Sequence, residues 1–171
     1  MKNKKTLLCF TILSIIVITF IVIMFGYNVY FNRNPKINVS VELKNITKND
    51  YYSCIDQIDK LTSNKIKKLI VMVNIINTPK CKVRKINIPE LNVFDNIDYF
   101  RSFKMSYKED NNLNDNYAKI TRSILFDFSN FTLHDLKKYY SNSKITIEII
   151  TKSNKKFHYR YNIGDLIKVD R

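Results

Sequence analysis

The residues that could do chemistry are few. His134 and His158 are the only imidazoles in the 171 residues. General acid–base work needs a positioned partner, and local sequence fixes no acid or thiol beside either histidine. His134 falls in the first turn of an expected short helix and His158 on the polar side of an expected strand, so both read as surface or cap residues. No Gly-x-Ser-x-Gly element marks an activated serine. The two glycines, Gly26 and Gly164, stand too far apart to build a phosphate-cradling loop. No enzymatic activity, no cofactor and no metal centre is expected.

The loop Asp110-Asn111-Asn112-Leu113-Asn114-Asp115-Asn116 sets oxygens at alternating positions, as a calcium loop would. An EF-hand also needs Gly at its sixth position and Glu at its twelfth. Those positions hold Asp115 and Thr121, so a solvated hairpin loop is the better account. Cysteine offers Cys9, inside an apolar run, with Cys54 and Cys81 beyond it; there is no Cys-x-x-Cys or Cys/His ligand spacing. Cys54 and Cys81 are a candidate disulfide, whose formation spacing leaves open. The sequons at Asn38, Asn45 and Asn130 are expected by chance in so Asn-rich a chain.

Cations are the remaining candidates. The chain holds 29 basic and 15 acidic residues, a net +14. The first 25 residues carry three of the basic ones and no acid, leaving 26 against 15, or +11, for the rest. Lys80, Lys82, Arg84 and Lys85 form one cluster; Lys152, Lys155, Lys156 and Arg160 form another; Lys65, Lys67 and Lys68 a third. The first two are the candidate contacts for an anionic wall polymer, through diffuse attraction. Phe157, Tyr159 and Tyr161 alternate with His158 and Arg160, so the aromatics face one way and the cations the other. That separates them from a base-stacking platform, and no specific nucleic acid is expected. Part of the basicity is compositional, since abundant Lys, Asn and Ile match an A+T-rich coding sequence.

The elements that must hold these residues begin with an uncharged apolar run, Thr6 to Phe25. Twenty helical residues reach about 30 Å, the hydrocarbon thickness of a bilayer. Lys2, Lys4 and Lys5 before it bias that end to the cytoplasm. Signal-peptide cores are shorter and end at a small-x-small site; Gly26 to Phe31 offers none. Cys9 follows Leu8 within the run, which excludes a lipoprotein signal. The pilin-type look of Lys5 to Thr11 lacks the Gly and Glu of such leaders. The expected organisation is a cytoplasmic N-terminus 1–5, a transmembrane helix 6–25, a juxtamembrane tether 26–35 and an extracytoplasmic domain 36–171.

Within that domain the hydrophobic period is two. Ile37-Val39-Val41-Leu43, Phe103-Met105-Tyr107, Ile120-Ile124-Phe126-Phe128, Ile145-Ile147-Ile149 and Phe157-Tyr159-Tyr161-Ile163 each predict a strand with one buried face. Leu69 to Ile76 is apolar on both faces and predicts a central strand. Val83 to Ile88 predicts another, with a bulge between Val83 and Ile86. Ser153-Asn154-Lys155-Lys156 predicts a tight hairpin with Asn154 left-handed. Asp50 is expected to cap a helix through Tyr51, Ile55, Ile58 and Leu61. Thr132 to Asp135 is expected to open a short crossover helix.

Seven strands with short connections predict a mainly β domain, an antiparallel β-sandwich with one or two short helices. Leu69 to Asn77, then Thr78-Pro79, then Val83 to Pro89 resembles the strand–turn–strand entry of immunoglobulin-like or fibronectin-type modules of extracytoplasmic bacterial proteins. The resemblance spans residues 36–163 and is architectural; the chain has no Trp for a Cys…Trp…Cys pattern. The alternative is an α+β domain with the 50–63 helix across a curved sheet, similar to outer domains of single-pass secretion and conjugation subunits. Anchor and domain together lead to the expectation of a membrane-anchored, non-catalytic binding or assembly protein of the cell envelope, with an envelope protein or an anionic wall polymer as partner. The alternative function is an oligomerising accessory subunit of a secretion, conjugation or sporulation-type envelope machine.

Overall fold

The computed structural model describes residues 2–31, 34–53, 65–76, 78, 81–92 and 102–169, and in the first helix side chains only for 10–27 and 29. Helix α1, Lys2–Phe31, contains the 18-residue window Phe10–Tyr27 with mean hydropathy 2.5, none of it buried. It is long and apolar enough to cross a membrane. Two of its polar side chains bond back to the helix: the Ser14 and Thr19 hydroxyls donate to the carbonyls of Phe10 and Ile15, both at 2.8 Å. This back-bonding satisfies a hydroxyl that a bilayer could not. The helix continues past Phe25 to Phe31, and the first strand begins at Lys36.

The rest is mainly β. In order follow β1 (Lys36–Asn45), α2 (Lys48–Tyr52), β2 (Ile66–Ile76), β3 (Cys81–Asn87), β4 (Ser102–Asp110), β5 (Ala118–Asp127), α3 (Leu133–Tyr139), a 3₁₀ turn (Tyr140–Asn142), β6 (Lys144–Thr151), β7 (Lys156–Asn162), the single turn α4 (Ile163–Leu166) and β8 (Ile167–Val169). One sheet has the order β4-β5-β2-β1-β8 and the other β3-β6-β7. Pairings are antiparallel except β1 with β8, where Val41, Glu42 and Leu43 lie beside Ile167, Lys168 and Val169. All seven expected strands are present; β8 is an eighth.

The alternation does what its period demands. Val41 and Leu43 of β1, Leu69, Val71, Val73 and Ile75 of β2, and Ile120, Ile124 and Phe126 of β5 point to one side. There they meet Ile145, Ile147 and Ile149 of β6 in one continuous core. A smaller cluster, Ile66, Phe103 and Leu125, sits on the other face of the five-stranded sheet, with Ile46 and Tyr51 against it. A bulge between Ser102 and Lys104 turns Phe103 into that cluster, away from the side of Met105 and Tyr107.

Two helices open on the same device. Thr47 and Thr132 each accept the N–H of the Asp three residues on, and each Asp carboxylate accepts the Thr N–H. Two orphan helix donors are thus satisfied reciprocally. For α2 the cap is Thr47 and not Asp50, whose carboxylate instead takes Lys68 Nζ at 2.7 Å; Ile55, Ile58 and Leu61 lie outside the described residues. Helix α3 carries the chain from the first sheet to the second and buries Leu136.

Tyr140, fully buried after α3, donates its hydroxyl to the carbonyl of Leu91 at 2.5 Å. Gly164 packs so close to this corner that a Cβ there would lie 2.4 Å from Lys137 O and 3.1 Å from Ser141 N. Only glycine permits that approach. It lets α4 turn the chain from β7 back onto β1 as β8.

Candidate functional site

The clustered cations of the three-stranded sheet come from its two outer strands, β3 and β7, brought together through their registers with β6. Lys85 of β3 lies opposite Glu148 of β6, which lies opposite His158 of β7; Arg160 and Lys156 flank His158 on its own strand. All face away from the core, because Ile145, Ile147 and Ile149 occupy the alternate positions of β6. Arg160 Nε donates to His158 Nε2 at 3.0 Å. A neutral His158 then keeps its proton on Nδ1. The result is a solvated face with Lys85, Lys156 and Arg160 around one acid, Glu148.

The β6–β7 hairpin is firmly built. Asn154 takes φ 64°, the left-handed conformation expected of it. The Thr151 and Lys155 backbones close the turn at 3.0 Å, and Thr151 Oγ1 accepts the Lys155 N–H at 3.0 Å. Lys152 and Lys155 are exposed on it. The Lys155 amine stands 4.9 Å over the Phe157 ring and donates to Asn34 Oδ1 at 3.1 Å. Lys82 donates to Asn154 Oδ1 at 2.7 Å, its charge meeting a neutral amide. Lys80 lies outside the described residues.

Arg84 does not belong to this surface. The register shift falls between Cys81 and Val83, earlier than the Val83–Ile86 position expected, and it turns Arg84 to the core side of β3. It is 4 % exposed. Its Nε donates to Asn111 Oδ1 at 2.6 Å, Nη1 to the Asp115 carbonyl at 3.2 Å, and Nη2 to the Asn112 carbonyl. Asn111 Nδ2 returns a bond to the Arg84 carbonyl at 3.3 Å. A guanidinium taken from water needs such partners. The Asp110–Asn116 loop therefore serves a cation, but an internal one, through the Asn111 side chain and two main-chain carbonyls, and it ties the two sheets together.

The other candidates stay apart. His134 is exposed in the first turn of α3. Cys81 is a buried free thiol, and Cys54 lies outside the described residues. Among the described residues no three of His, Cys, Asp and Glu gather where a metal could be held. Burial pulls the Asp50 carboxyl upward, but Lys68 and the Thr47 hydroxyl and N–H outweigh it and hold the group below its ordinary value. Hydrogen bonds from the Thr132 hydroxyl and N–H lower Asp135 in the same way.

One surface went unread in the sequence. Met105 and Tyr107 were expected to be buried, yet they are 51 % and 48 % exposed. They do face the core side of their sheet, but on its edge strand β4, outside the buried core. Arg122 stacks 5.1 Å over the Tyr107 ring, and the Tyr107 hydroxyl donates to Glu109 at 2.6 Å, which pushes its pKa up. With Glu90 and Ser106 these residues line a shallow hollow of about 180 Å³. Comparison with protein-family models, curated proteins and solved structures returned no match.

Proposed function

We propose that the chain is a single-pass membrane protein, its N-terminus in the cytoplasm, that displays an immunoglobulin-like β-sandwich as a non-catalytic binding or assembly module of the cell envelope. The strand order carries this reading. If β1 to β7 are lettered A to G, the sheets are D-E-B-A and C-F-G, the arrangement of a constant-type immunoglobulin domain. A core common to both sheets fits that architecture. Tyr140 stands just before β6, near where such domains carry their corner tyrosine, although its hydroxyl reaches across to Leu91. β8 is an addition to the edge beside β1. The apolar window of α1, unburied and preceded by Lys2, Lys4 and Lys5, favours a retained anchor with its N-terminus inside.

The face of Lys85, Lys156 and Arg160 is the candidate contact for an anionic wall polymer. Tethering to a membrane raises effective concentration, so weak contacts suffice. Membrane fractions washed at alkaline pH should retain the full-length chain, and protease added to intact cells should remove a C-terminal tag. A mature form lacking residues 1–25, or a tag protected until lysis, overturns the topology. Retention on anionic polymer should fall with salt and with Lys85→Gln/Lys156→Gln/Arg160→Gln; retention that ignores both ends the electrostatic part. The edge strand β4, with Met105 and Tyr107 exposed, favours a second reading in which the domain oligomerises. Light scattering that finds only monomer at high concentration excludes it.

A further inference from the structure

We infer that the end of the domain nearest α1 lies on the lipid surface that its own helix crosses, as a peripheral contact with anionic headgroups. The inference rests on the spanning reading of α1. Four residues separate the helix from β1, so the first residue of β1 marks the near end of the domain. Registers carry that end across the fold: Lys36 pairs with Ile76, Ile75 with Ala118, and Asp110 with Lys119. Thr78 N–H to the Asn116 carbonyl at 3.0 Å, and Lys155 to Asn34 at 3.1 Å, bring the β4–β5 loop and the β6–β7 hairpin to the same end.

Reach decides the matter. Phe31 to Asn34 is three backbone steps, about 10 Å fully extended. Tyr27 to Phe31 adds about 6 Å of helix. Asn34 therefore sits within about 16 Å of the apolar window, with the Lys155 amine of the hairpin 3.1 Å from its side chain, while the headgroup layer is itself roughly 5–8 Å deep. The side chains presented there suit that layer. Ile76, Leu113 and Tyr117 are 37 %, 39 % and 42 % exposed, and a tyrosine is at home at a membrane interface. Lys36, Lys82, Lys152 and Lys155 are exposed beside them, with Lys108 and Lys119 further along. The acids of this end, Glu109, Asp110 and Asp115, lie on or beside the β4–β5 loop; Glu109 is engaged by Tyr107 and Asn111. The hairpin side is left cationic.

The full chain is reconstituted into nanodiscs of zwitterionic lipid or of the same lipid with 30 mol % (about a third) anionic phosphatidylglycerol, and amide hydrogen exchange is followed. In anionic discs, residues 111–117 and 152–155 should exchange about tenfold more slowly than in zwitterionic ones. High salt, or Lys82→Gln/Lys152→Gln/Lys155→Gln, should remove the difference, and the corresponding Arg variants should restore it. Exchange in residues 69–75 reports that each variant is folded. Equal exchange in both lipids overturns the inference, as does protection that soluble anionic polymer supplies equally without lipid. A chain that fails to enter discs sinks the spanning reading instead, so the two failures are told apart.

Discussion

Gly164→Ala tests the tightest contact in the domain. The added methyl would meet Lys137 O at 2.4 Å, and Ser141 N and Tyr140 C at 3.1 Å. These are backbone atoms on the α3 corner, so no rotamer change relieves them. Either α4 or the corner must retreat by nearly 1 Å to reach ordinary van der Waals separation. The Ile163 N–H bond to the Ser143 carbonyl at 2.9 Å and the β8 pairing hang on α4. Overpacking of this kind costs about 1–3 kcal/mol. Gly164 has no positive φ, so alanine recovers about 0.4–1 kcal/mol through the unfolded chain. The net expectation is a loss of about 1–2 kcal/mol, or several degrees in Tm. Thermal and urea unfolding of the detergent-solubilised chain, followed by the β-sheet circular dichroism signal, measures it. Gly26→Ala is the control, because nothing lies within 4 Å of that position. If Gly164→Ala matches or exceeds wild-type stability, the close approach does not shape this corner.

Arg84→Met should cost about 3 kcal/mol, since three oxygens lose a charged donor, and should speed hydrogen exchange across 111–116 while leaving β2 protected. Tyr140→Phe, which strands the Leu91 carbonyl, should cost about 1–2 kcal/mol in urea unfolding; a neutral result means water replaces the hydroxyl. The Asp50 carboxyl is held below its free value of 3.8, so its contribution is present above that value and is lost as pH falls through the lower folded value. Lys68→Met should therefore lower the urea midpoint at pH 7 and change it less at pH 3. A difference that grows with acid would reverse the assignment.

Most of the strand pattern was legible because a period of two survives any tertiary context that buries one face. Four features were not, each for a stated reason. Ile167 to Val169 is too short to show alternation, and its pairing depends on the turn that Gly164 permits. Arg84 looked like one cation among four; a one-residue bulge decides which side it takes, and bulge position is not written in composition. Met105 and Tyr107 had their face assigned correctly, but burial depends on where the strand stands in its sheet. The Thr47 cap was missed although Thr132 was recognised, because Asp50 also passes for a cap residue; the repeated Thr-x-x-Asp spacing was the available signal. For the site, sequence supplied the cations and the registers sorted them into one shared face and one buried tie.

That buried tie has a consequence for life in a changing ionic medium. A loop organised around dissolved calcium loosens when the ion is diluted or chelated, and its state follows the surroundings. Here the positive centre is carried on the polypeptide, bonded to β3 and enclosed by Asn111, Asn112 and Asp115. It can be neither washed out nor exchanged, and its burial weakens screening by salt. The seam between the sheets is thereby uncoupled from the electrolyte outside, and the exposed lysines are left to respond to it.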